Sequence, residues 1–159
     1  MTAKVRHNYL RRLPPEHYRG QAYVHWSLTM ENRRTGWLDS AVFQRYREIL
    51  THAAFRFGFC VPIFCCMCDH IHMLWVGILN NCDQRTAFED VADYIARNPE
   101  RKGIVPPDGF AIYPFTGCLV PGYPELRVFE VGYWDRFWRI YSNLVKNGLH
   151  VGLPDGPEN

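Results

Sequence analysis

The spacing of apolar positions changes along the chain, and each change marks an element. Residues 22–30, AYVHWSLTM, are rich in β-branched and aromatic side chains and end at the polar turn ENRRTGW, which contains Gly36. This predicts a first strand. From Asp39, a suitable N-cap, the apolar residues Val42, Phe43, Tyr46, Ile49, Leu50, Ala53 and Phe57 recur at helical spacing up to Gly58, a suitable C-cap. Two short apolar runs follow, FCVPIFCCM (59–67) and HIHMLWVGIL (70–79), separated by Cys68 and Asp69. They predict a hairpin or two neighbouring strands, with Pro62 pushing the first toward a sheet edge or toward its own beginning.

In RTAFEDVADYIARNP, Thr86 and Glu89 have the spacing of a capping box, and Phe88, Val91, Ala92 and Ile95 form an apolar stripe that Pro99 terminates. Residues 103–128 mix Pro106, Pro107, Pro114, Pro121 and Pro124 with glycines and aromatics. Aromatic rings favour burial, so this stretch is expected to be ordered but irregular. YWDRFWRIYSNLV (133–145) predicts a closing helix with Trp134, Phe137, Trp138 and Tyr141 on one side. There is no internal repeat.

With 159 residues, 47% hydrophobic and 21% charged, the chain has the composition of one soluble domain, or one domain with an appendage. The net charge is only +2, but the first twenty residues hold Lys4, Arg6, Arg11, Arg12 and Arg19 against Glu16 alone. Such an arm can lie along phosphates or simply be solvated. Residues 1–20 contain no apolar signal region, and no apolar run reaches about 18 residues, which points to a cytoplasmic protein. Of the six cysteines, four crowd into positions 60–68, with Cys65 and Cys66 adjacent. In a reducing compartment they are read as thiols.

Cys65, Cys66 and Cys68 followed by His70 and His72 raise the question of zinc. A structural zinc site needs four convergent ligands, usually from two separate loops. Here the candidates are contiguous and strand-like, so alternate side chains diverge. The His-Ile-His spacing differs: i and i+2 on a strand share a face, so His70 and His72 project together while Ile71 enters the other side. Tyr94 and Asn98, four residues apart on the predicted helix, lie about 40° apart around its axis and border the apolar stripe. If that helix packs over the histidine face, Asn98 supplies a third, oxygen ligand and Tyr94 faces the same ion.

MCDHIHMLW resembles the HUH motif of the type MPDHIHLLW, and YIARNPERKGIV resembles the signature YIxxNPxRAGLV of the REP-associated tyrosine transposases, a single-tyrosine HUH family. YVHWSLTMENRRTGWL is similar to that family's first strand and turn, and LVPGYPEL with FWRIY to its tail; the resemblance spans most of residues 20–145. It implies His70, His72 and Asn98 as metal ligands, Tyr94 as nucleophile, and Mg²⁺ or Mn²⁺ as the ion. The implied reaction is cleavage and rejoining of single-stranded or hairpin DNA through a 5′-phosphotyrosine, acting as monomer or homodimer. Lys4, Arg6, Arg11, Arg12, Arg45 and Arg47 are the candidates for contacts to the DNA backbone. A hairpin-binding remnant that no longer cuts is the alternative.

The resemblance implies an α+β, ferredoxin-like antiparallel sheet with helices on one face. A basic arm (1–20), a catalytic core (21–105) and a Pro- and aromatic-rich extension (106–159) would divide the chain. Two departures stand out. Cys68 occupies a position that is usually proline. Only 21 residues separate His72 from Tyr94, about 40 short of what the family places there, so its second helix and fourth strand are expected to be missing. Strand one would then be an open edge, unless a later segment such as 126–131 fills it.

Overall fold

The computed structural model describes residues 23–78 and 85–148. Strand β1 (Tyr23–Thr29) leads through a 3-10 turn at Glu31–Arg33 to helix α1 (Ser40–Phe57). α1 begins and ends at the expected caps. The Asp39 carboxylate accepts the Val42 N–H at 2.8 Å, and Gly58, at φ +66°, turns the chain out while its N–H still reaches the Ala54 carbonyl. Strands β2 (Phe59–Cys66) and β3 (His70–Gly77) pair antiparallel, and β3 also pairs antiparallel with β1. Helices α2 (Arg85–Ala96) and α3 (Asn98–Arg101), strand β4 (Thr116–Leu119) and helix α4 (Tyr133–Asn147) complete the described elements.

The fold is α+β, a four-stranded antiparallel sheet in the order β1-β3-β2-β4. Its β1-α1-β2-β3 portion has the ferredoxin-like arrangement. The helices, expected on one face, cover both. Phe59, Val61, Phe64, Cys66, Ile71 and Met73 form one core with α1, whereas Cys60, Ile63, Cys65, Leu74 and Val76 form another with α2 and α4. The physical reason is in β2 and β3 themselves. Their side chains are apolar on both faces, so each face needs a cover; all eight residues of β2 are buried.

Pro62 lies inside β2 rather than at a sheet edge, and β2 is an inner strand. The ladder to β3 shifts register between Cys60 and Ile63, and the ladder to β4 between Val61 and Phe64. This irregularity absorbs the missing N–H, and the Tyr133 hydroxyl donates to the Pro62 carbonyl.

The fourth strand comes from the irregular proline-rich stretch and adds to the β2 edge, not to β1. Segment 126–131 forms turns, and among the described residues β1 pairs with β3 alone. β4 can seat there because Gly117 lies opposite Phe64, where an added Cβ would stand 2.9 Å from the ring. That ring is held between Phe43 and Tyr46 at 5.8 and 5.5 Å.

α4 locks α2 to the sheet. Phe88 meets Trp138 at 5.1 Å, the Trp138 indole donates to Glu89 at 2.6 Å, and the Tyr141 hydroxyl donates to the Gly77 carbonyl at 2.9 Å. Glu89 is therefore spent on Trp138, and Thr86 sits one residue inside α2, so the expected capping box is not the device used here. The described part of 106–159 shares the sheet and core of the preceding residues.

Candidate metal and nucleophile site

β3 presents His70 and His72 on the face covered by α2, and Ile71 enters the α1 core on the other side. Both imidazoles are buried, at 8% and 7% exposure, and their rings meet edge-on at 4.7 Å. α2 lands over this face because Phe88, Ala92 and Ile95 bury against the same core as Leu74 and Val76. Tyr94, beside that stripe, is left at the rim, 44% exposed. Its ring stands 6.1 Å from that of His72, nearly perpendicular to it. The tyrosine helix thus docks over the histidine strand, the packing on which the shared site depends.

Asn98 lies just past the end of α2. Its side-chain amide donates to the Tyr94 and Ile95 carbonyls at 3.0 and 3.3 Å, satisfying groups that the helix end leaves open. With the nitrogen so engaged, Oδ1 has no partner among the described residues. Pro99, which cannot continue α2, opens α3 instead.

Three further residues complete the surroundings. Asp69 holds His70 Nδ1 at 2.5 Å and pairs with Arg33 at 2.9 Å, and these contacts keep its carboxyl well down, at about 2. His25, on β1, places Nε2 3.0 Å from His72 Nδ1 and its ring 6.0 Å from that of Tyr94. The Arg101 guanidinium lies over the Tyr94 ring at 4.3 Å. Burial, then the neighbouring His70, His25 and Lys102, push the His72 imidazole down to about 4. At neutral pH it is uncharged and has a lone pair to offer.

No protein-family model, curated protein or solved structure matches the chain. The resemblance in its motifs therefore rests on those residues alone.

The cysteines take another course. Cys65 belongs to the core under α2 and Cys66 to the core under α1, so the sheet separates them. Burial pushes their thiols up to about 11 and 12, away from the thiolate that a metal requires. Cys68 is exposed and makes a weak contact to Asp69. The five described cysteines are free. Among the described residues no three His, Cys, Asp or Glu side chains form a group able to hold a metal ion. A cation on the histidine face would need Asn98, and oxygens from substrate or water, beside the two imidazoles.

The candidate DNA contacts divide. Lys4, Arg6, Arg11 and Arg12 lie outside the described residues. Arg45 and Arg47 are on α1, across the sheet from the histidines; Arg45 is paired with Glu48 at 2.9 Å, while the Arg47 Nε is buried without a partner among the described residues. They do not border the Tyr94 site. The cations that do are Arg101 and Lys102, whereas Arg97 is taken up by Asp93, Glu100 and Asp108. Sequence reasoning missed His25 and Arg101. His25 alternates with Tyr23 and Ser27 on one face of a predicted strand, but only the β1-β3 register brings it to His72. No described helix is long and apolar enough to cross a membrane.

Proposed function

We propose that this chain cleaves and rejoins single-stranded DNA of hairpin type, with Tyr94 as nucleophile and His70, His72 and Asn98 holding Mg²⁺ or Mn²⁺. The observation that carries the reading is a shared arrangement. Each of the three ligands has one polar atom tied back to the protein and the other without a partner among the described residues, and an exposed tyrosine stands beside them.

The Tyr94 oxygen forms a bond to a backbone phosphorus as the bond from that phosphorus to the 3′ oxygen breaks, leaving a 5′-phosphotyrosine and a free 3′-OH. The 3′ oxygen takes up a proton, and the phenol has given one up. Attack by a 3′-OH on the phosphotyrosine reverses the sequence, so the bond energy is conserved without ATP. A free phenol is ionised to only about one part in a thousand at pH 7. Arg101, stacked on the ring, steadies the side chain through a cation–π contact. A bound cation supplies polarisation of the scissile phosphate and offsets charge on the leaving oxygen. Mg²⁺ and Mn²⁺ both favour oxygen ligands, which Asn98 and the phosphate would add to the two imidazoles. Exposed Arg101 and Lys102 supply positive charge toward the phosphates that flank the reacting one.

The test uses end-labelled single-stranded hairpin DNA with Mn²⁺, resolved on denaturing gels with protease controls. Wild type is expected to leave a covalent adduct that Tyr94→Phe does not form, with hairpin binding equal in the two. An adduct in the phenylalanine variant would place the nucleophile elsewhere. Binding by both with an adduct from neither would make the chain a binding remnant.

A further inference from the structure

Each imidazole of β3 is held at one nitrogen only. His70 Nδ1 lies 2.5 Å from the Asp69 carboxylate, and His72 Nδ1 lies 3.0 Å from His25 Nε2. An ionised carboxylate can only accept, so His70 carries a proton on Nδ1, and a neutral His70 keeps the Nε2 lone pair free. At His72 the partner is a second imidazole, which can donate or accept. If His25 donates, His72 is protonated on Nε2 and has no lone pair there for a cation. If His25 accepts, His72 presents Nε2 just as His70 does.

We infer that His25 accepts the Nδ1–H of His72 and so fixes the tautomer in which Nε2 of His72 is open to a divalent cation, making His25 a positioning residue of the site. Its purpose rests on the cation reading above. Three observations support it. Neither Nε2 has a partner among the described residues. The buried side-chain nitrogens without partners there are those of Trp37, Arg47 and Trp75, so the free histidine nitrogens are not sealed from solvent or from an ion. And the strand register puts Ser27 opposite His72 and His25 opposite Leu74, which sets His25 diagonally across the same face. His25 is exposed on the edge strand, so water can satisfy its own Nδ1–H while Nε2 accepts. Metal-bound histidines almost always donate their second ring nitrogen to such a partner, and losing that partner costs about 10- to 100-fold in metal affinity. Asp69 serves His70 in this way, and His25 serves His72.

The experiment compares wild type, His25→Phe, which keeps a ring but removes the acceptor, and His25→Gln, which returns an acceptor oxygen. Long-range ¹⁵N-¹H NMR on the metal-free proteins at pH 7 reads the tautomer of His72, and electron paramagnetic resonance titration reads Mn²⁺ affinity. Expected results are an Nδ1-protonated His72 in wild type and His25→Gln, loss of that tautomer in His25→Phe, and an affinity for Mn²⁺ lower by about 10- to 100-fold in His25→Phe alone. A wild-type His72 protonated on Nε2 would overturn the assignment, and that measurement decides even if His25→Phe fails to fold. A tautomer and an affinity both unchanged in a folded His25→Phe would overturn it equally. If the tautomer switches as expected but wild type binds no Mn²⁺, the cation reading fails while the pairing of His25 with His72 stands.

Discussion

Acidification from pH 7 to pH 4 should remove the stability that His72 contributes as a neutral, buried imidazole. Its pKa is lowered to about 4 by burial first and by His70, His25 and Lys102 after it, against about 6.5 in an unfolded chain. Between these values the unfolded state binds a proton that the folded state does not. Stability therefore rises with pH from about 4 to about 6.5, is fully present above that window, and is lost below it. A gap of about 2.5 units at about 1.4 kcal/mol per unit sets an upper bound of about 3.5 kcal/mol. Contact with solvent at the rim of the site reduces the expected loss to about 1–3 kcal/mol. The assay is urea unfolding without metal at pH 7, 6, 5 and 4, in wild type and His72→Gln, the difference between the two profiles isolating this residue. NMR titration of the His72 ring gives its pKa directly. Titration near 6.5, or identical pH profiles in the two proteins, would refute the account.

Gly117→Ala should destabilise by about 1–3 kcal/mol through overpacking, because the new methyl meets a Phe64 ring already wedged between Phe43 and Tyr46; chemical denaturation reads it, and a neutral result would mean that β4 can lift away. Arg101→Ala should slow adduct formation by about 2- to 5-fold, the worth of an exposed cation–π contact of about 0.5–1 kcal/mol, with little change in Tm; an unchanged rate would remove Arg101 from the account of Tyr94. Deleting residues 1–12 should lower the log-log salt slope of single-strand binding by about 3, at about 0.7 for each of Lys4, Arg6, Arg11 and Arg12; an unaltered slope would show a solvated arm.

Local rules determined a great deal. The caps at Asp39 and Gly58 bound α1 as expected, because capping is decided within a few residues. The two-residue period of a strand was enough to put His70 and His72 on one face and Ile71 on the other. The amphipathic stripe of α2 was equally legible, and with it the rim position of Tyr94. The same stripe, however, does not say which face of the sheet α2 covers.

Tertiary structure decided the remainder, because those features depend on partners far apart in the chain. Phe64 and Gly117 choose one another across 53 positions, so β4 joins β2 and leaves β1 as an edge. Glu89 leaves its local capping role for Trp138, 49 residues on, since a buried indole N–H must find an acceptor. His25 reads in the sequence as one polar residue of a half-exposed strand. Only the β1-β3 register, set by burial of the apolar side of the sheet, carries its ring to His72, 47 residues away.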